Sequence, residues 1–106
     1  MRAIVERRGD RFLDRVFTPG EREYAARGRG DRTYERLAAR FAVKEAVCKA
    51  VGRRLPFRSV DVGHASPGGA PVVRCEEVAG TISVSLAHTR GLAVAVVWVD
   101  PQRPKG

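Results

Sequence analysis

Apolar positions recur at helical spacing through the first half of the chain and at alternating spacing through the second. In residues 2–17 (RAIVERRGDRFLDRVF), Phe12, Leu13, Val16 and Phe17 fall at i, i+1, i+4 and i+5, a helical stripe with Gly9 weakening its middle. Thr18-Pro19-Gly20-Glu21 has the form of a capping box, with Thr at the N-cap, Pro at N1 and Glu at N3. It predicts a short helix that ends near Arg27. Gly28-Arg29-Gly30 is a flexible link, and Asp31 is placed to cap a long helix running to about Val51. Gly52 then stands where a left-handed residue closes a helix.

After Gly52 the period changes. Residues 59–63 (SVDVG) predict a short strand, Pro67-Gly68-Gly69-Ala70-Pro71 a turn, and Val72 to Cys75 the returning strand. Residues 76–80 are ambiguous between elements. Thr81 to His88 (TISVSLAH) alternates strictly, with Ile82, Val84 and Leu86 on one face and Ser83 and Ser85 on the other. His88-Thr89-Arg90-Gly91 reads as a turn into LAVAVVWV, which is apolar on both faces and predicts a central, doubly covered strand. The last six residues, PQRPKG, read as a frayed tail. The expectation is one α+β domain over residues 1–106, its helices packed on an antiparallel sheet of about three to four strands.

One position breaks the pattern of the long helix. At about 100° per residue, Leu37, Ala38, Phe41, Ala42 and Cys48 share a side, and Glu45 falls among them. A buried carboxylate must be protonated, paired or bound to a cation. Lys44 and Lys49 flank it, although only three of the 20 basic residues are lysines. Val43, Ala46, Val47 and Ala50 form a second apolar side, which predicts burial between two layers or a subunit interface. A single helical carboxylate can supply part of a Mg²⁺ site when substrate phosphates and water supply the rest. Arg40, Lys44 and Lys49 lie within about one turn of Glu45 and suit a pyrophosphate. His88 and Thr89 end a strand beside a glycine, where ring, hydroxyl and backbone N–H groups suit a phosphate or an adenine edge.

Composition narrows the partners. A net charge of +8 and a pI near 10.7 predict attraction to an acidic molecule. A basic nucleic-acid-binding protein would explain the charge but not Glu45, and no helix-turn-helix or RNA-binding signature is present. Cys48 and Cys75 show no metal or disulfide spacing, so the default is two free thiols in a reducing cytoplasm. Leu92 to Val99 is too short to span a bilayer as a helix, so no membrane partner is expected.

In combination, FAVKEAVCKA (Phe41–Ala50), FTPGE (Phe17–Glu21), GGAP (Gly68–Pro71) and SLAHTRGLAVAVV (Ser85–Val97) resemble the holo-acyl-carrier-protein synthase family of 4′-phosphopantetheinyl transferases. The motifs keep the family's order and cover nearly the whole chain. The resemblance implies Mg²⁺-dependent transfer of phosphopantetheine from coenzyme A to a serine of an acidic apo-acyl-carrier protein, releasing 3′,5′-ADP. It implies Glu45 as metal ligand and Lys49 as the lysine near the pyrophosphate, both catalytic. Arg40, Lys44, Lys49, His88 and Thr89 would line the coenzyme A site. The family's fold, its trimers with active sites between subunits, and its place in fatty acid biosynthesis come with it. Arg7, Arg8, Arg11 and Arg15, with Arg22, are the docking candidates for the carrier protein.

The resemblance has one gap. Family members begin with a strand of the type Gly-Ile-Asp-Ile-Val, whose aspartate is the second metal-ligating carboxylate. Met1 to Val5 reads instead as helix, and among Asp10, Asp14, Asp31, Asp61 and Asp100 the nearest substitute is Asp61. The expectation is a chain begun at an internal methionine or shortened, with an open sheet edge and a weakened Mg²⁺ site. A non-catalytic homologue that keeps the fold for assembly is the alternative.

Overall fold

Three helices precede four strands. The structure, a computed structural model, describes residues 1–66, 69–89 and 92–100, with the last two residues of the third strand described by their backbone. Helix α1 (Arg2–Val16) is bent at Gly9, whose φ of 66° and ψ of −150° suit a residue without a Cβ. Beyond the bend, Phe12, Leu13, Val16 and Phe17 pack with Ala25 and Leu37 in one apolar cluster. Helix α2 (Pro19–Ala26) begins with the expected capping box. Glu21 N donates to Thr18 Oγ1 at 3.2 Å and Thr18 N donates to Glu21 Oε1 at 2.8 Å.

Helix α3 (Asp31–Val51) closes on Gly52 in the left-handed conformation, φ 76°, with Gly52 N donating to Cys48 O. Its start differs from expectation. Gly30 holds the cap position with φ 59°, and Asp31 is the first helical residue, ion-paired to Arg2 at 2.6 Å. The positive φ at the cap selects glycine over aspartate there.

The strands form two hairpins in place of one sheet. β1 (Asp61–His64) pairs antiparallel with β2 (Pro71–Arg74), with Val62 opposite Val73. β3 (Thr81–Thr89) pairs with β4 (Leu92–Asp100), with Val84 opposite Val97. Among the described residues each sheet has two strands. β1 starts later than expected because residues 57–59 form a 3₁₀ turn, closed by Ser59 N and Oγ donating to Pro56 O. Pro67 and Gly68 of the expected turn, Arg90, Gly91 and the tail 101–106 lie outside the described residues.

The core lies where α3 crosses both hairpins. Val43 and Val47 are fully buried with Leu55, Val60, Val62 and Val73, and Ile82, Val84, Leu86, Ala95 and Val97 pack against them. This corrects the helical wheel. Val43 and Val47, on the side expected to meet a second layer or another subunit, face their own chain's strands, while Glu45, placed among Leu37, Phe41 and Cys48, is exposed. β4 is likewise covered on one face only. Ala95 and Val97 turn inward, whereas Leu92, Val94, Val96 and Trp98 remain 63%, 51%, 56% and 49% exposed. Among the described residues no helix is long and apolar enough to cross a membrane.

Candidate functional site

Helix α3 sorts the candidate residues onto different faces. Glu45 and Lys49, at i and i+4, are both exposed and line one cleft of about 640 Å³. The end of α1 contributes Arg15 and Val16 to its wall. The reversal at Gly52 brings Arg53 and Arg54 to the same rim, with Cys48, Leu55 and Phe57 beneath. Arg53 is pinned there by Nη2 donating to Glu77 O at 2.6 Å. Four cationic side chains therefore surround one carboxylate. That balance attracts a polyanion, and the carboxylate is free to share a hard cation with it.

Glu45 is thus a surface carboxylate, which corrects its expected burial. The buried charge of α3 is its neighbour. Lys44 is 0% exposed and Glu21 of α2 is 1% exposed, and they meet at 2.8 Å between Nζ and Oε1. Lys44 Nζ also donates to Phe57 O at 2.8 Å and to Val60 O. Its three protons have three acceptors. Glu21 Oε1 accepts from Thr18 N and Oε2 from Val62 N, both at 2.8 Å. Burial pushes the Lys44 ammonium below its ordinary value, and the Glu21 carboxylate opposes that shift. Lys44 accordingly faces the core and has no donor left for a ligand, contrary to the expectation that it lines the coenzyme A site.

Arg40 occupies a third face. It is 4% exposed, stacks its guanidinium 4.2 Å from the Tyr24 ring centroid, and approaches His64 Nε2 at 3.5 Å through Nη2. Arg36 lies over the same ring at 4.3 Å. Among the described residues no carboxylate lies within ion-pair distance of either arginine, and the buried Arg40 Nε has no hydrogen-bond partner. Burial and the two guanidiniums depress the pKa of His64. The cluster holds uncompensated positive charge, a feature suited to an anion.

The remaining candidates lie elsewhere. The backbones of His88 and Thr89 end β3, opposite Ala93 and Leu92, so the strand takes in the first two residues of the expected turn. Asp61 accepts from Thr18 Oγ1 at 2.6 Å at the α2–β1 junction and does not line the Glu45 cleft. Arg22 is held by Asp14 at 2.8 Å and Asp10 at 3.3 Å, which leaves Arg7, Arg8, Arg11 and Arg15 with Phe12 around a hollow of about 480 Å³. Arg15 borders both this hollow and the Glu45 cleft. Sequence reasoning did not place Arg53 and Arg54 in the site. The adjacent helix stop at Gly52 was the available signal, because it turns the residues after it back toward the helix end.

A family model described as the 4′-phosphopantetheinyl transferase superfamily matches residues 1–97. The chain is 37% identical over 101 residues to a holo-[acyl-carrier-protein] synthase of Thermodesulfovibrio yellowstonii, covering 93% of this chain and 87% of that protein. It is 39% identical over 106 residues to the protein of that name from Anaeromyxobacter dehalogenans, covering 92% and 81%. Among solved structures, a holo-(acyl-carrier-protein) synthase from Bacillus anthracis in complex with CoA (3′,5′-ADP) superposes with a TM-score of 0.81 at 31% identity, covering 94% of this chain and 89% of that one. The Helicobacter pylori holo-[acyl-carrier-protein] synthase in complex with coenzyme A superposes at 0.78 and 27% identity, covering 93% and 90%.

Proposed function

This chain belongs to the 4′-phosphopantetheinyl transferase superfamily, and from that premise we propose that it transfers the 4′-phosphopantetheine group of coenzyme A to a serine of apo-acyl-carrier protein. The products are holo-acyl-carrier protein and 3′,5′-ADP. The observation that carries the reading is the placement of Glu45 and Lys49 together in a cleft walled by Arg15, Arg53 and Arg54.

In this reaction the serine oxygen bonds to the β-phosphorus, the bond from that phosphorus to the bridging oxygen breaks, and the serine hydroxyl proton is released to solvent. Charge grows on the departing α-phosphate, where Lys49 and the rim arginines stabilise it. Glu45 would hold Mg²⁺. Among the described residues no three His, Cys, Asp or Glu side chains gather, so the ion would rest on Glu45, water and phosphate oxygens, a donor set that Mg²⁺ accepts. The ion would supply further charge neutralisation at the pyrophosphate. Arg40, with its uncompensated charge, would bind the nucleotide end of coenzyme A together with His88 and Thr89.

The acidic carrier protein would dock on Arg7, Arg8, Arg11 and Arg15, from which Arg15 leads into the Glu45 cleft. A homotrimer would cover Leu92, Val94, Val96 and Trp98, an apolar strip that one chain leaves open. We assign the activity to fatty acid biosynthesis in the cytoplasm, where both thiols would stay reduced.

Intact-mass analysis of an apo-carrier protein incubated with catalytic amounts of the chain, coenzyme A and Mg²⁺ tests the proposal. The expected result is the mass gain of one phosphopantetheine on the reactive serine. No adduct, together with no binding of coenzyme A in a titration, would overturn it.

A further inference from the structure

Lys44 and Glu45 are consecutive, yet one is sealed in the core and the other lines the cleft. We propose that the Glu21–Lys44 pair is a positioning device: it sets the rotation of α3 about its own axis and thereby aims Glu45 and Lys49. Glu21 is on this account a positioning residue for the transfer reaction, acting through Lys44.

The argument begins with directionality. Apolar contacts between α3 and the hairpins hold the helix down but tolerate a roll, because burial is nearly indifferent to angle. Hydrogen bonds are not indifferent. The Lys44 ammonium spends its three protons on Glu21 Oε1, Phe57 O and Val60 O, which come from α2 and from the segment leading into β1. The Glu21 carboxylate is fixed in turn by Thr18 N and Val62 N. Every donor and acceptor is matched at one rotation of the helix. Side chains reach about 6 Å from a helix axis, so a roll of about 20° would carry the Glu45 carboxylate about 2 Å. Misplacement by 1 Å can cost about 100-fold in rate. A buried pair is also a poor choice for stability alone, since apolar residues of similar shape often serve as well.

The test is the double variant Glu21→Gln/Lys44→Met, which removes both charges and keeps both shapes. It rests on the proposed activity for its kinetic arm and needs no activity for its structural arm. The expected variant folds cooperatively, with kcat about 10- to 100-fold lower, a higher half-saturating Mg²⁺ concentration and an unchanged KM for the carrier protein. By NMR, nuclear Overhauser effects linking the Val43 and Val47 methyls to those of Val62 and Val73 are expected to change while α3 amides stay helical. A folded variant with wild-type kcat and wild-type methyl contacts would overturn the proposal. So would losses that merely follow the folded fraction. Glu21→Asp, which keeps the charge but is one methylene short, is the second variant if the first fails to fold, and the same readouts apply. A wild-type chain without transfer would overturn the proposed function and leave the methyl contacts to decide this inference.

Discussion

Replacing Lys44 alone by methionine should destabilise the protein far more than its position beside an exposed residue suggests. The substitution keeps the length of the side chain and removes its charge. It leaves the Glu21 carboxylate, 1% exposed, with only Thr18 N and Val62 N as partners, and it removes the donor to Val60 O. Removing one partner of a buried pair costs about 3–5 kcal/mol, because the other charge stays buried. A domain of this size has about 5–15 kcal/mol in total, so the loss is a third or more of most values in that range. At about 4 °C per kcal/mol the melting temperature should fall by at least ~12 °C. Thermal and urea melts at pH 7 and one fixed protein concentration would measure it, since assembly shifts the midpoint. Glu21→Gln added to Lys44→Met should recover about 2 kcal/mol, because the uncompensated carboxylate is gone. A single variant within ~1 kcal/mol of wild type would refute the reasoning, as would a double variant no more stable than the single.

Glu45→Ala should leave the melt within about 0.5 kcal/mol, because Glu45 is exposed, and lower transfer at least about 100-fold in the intact-mass assay. Arg7→Glu/Arg11→Glu should raise KM for the carrier protein and leave KM for coenzyme A unchanged in steady-state assays; equal effects on both would remove α1 as the docking surface. Val96→Glu puts a charge in the middle of the exposed β4 strip and should convert the proposed homotrimer to monomers in sedimentation velocity, whereas an unchanged sedimentation coefficient would remove this strip as its interface. His64, held below its ordinary pKa by burial and by Arg40 and Arg36, stays neutral in the folded chain at pH values where the unfolded chain takes up a proton. Its contribution to stability is therefore full above about 6.5 and declines as pH falls below that value. His64→Gln should flatten the acid side of a melting-temperature profile, and the imidazole should titrate below its ordinary value by NMR.

The features legible in the sequence were those written in neighbouring residues. Thr18 and Glu21 satisfy each other across one turn, Gly52 ends α3 by its own conformation, and β3 shows itself by strict alternation. What escaped depends on distant partners. A wheel places Lys44 beside Glu45 on a helix that is apolar on two sides, and nothing in that helix says which side meets the hairpins. The deciding groups are Glu21 and the carbonyls of Phe57 and Val60, which the fold brings to the ammonium from other elements. Without them lysine reads as surface and the glutamate as the anomaly. The exposed face of β4 escaped for a similar reason, since alternating apolar residues look the same whether their cover is in the same chain or in another.

The inverted assignment of Lys44 and Glu45 also explains why the two charges stand side by side. Successive residues of a helix point about 100° apart, so a side chain anchored in the core leaves the next one near the edge of the buried face. Glu45 can then be presented to the cleft while its own backbone is held by the residue before it. Lys49 follows on the same open face at i+4, beyond the reach of the Glu21 network and within the rim of Arg53 and Arg54. Moving the anchor elsewhere on α3 would separate the group that fixes the rotation from the group whose direction matters, and small errors of twist would accumulate between them. Adjacency keeps that error smallest at Glu45.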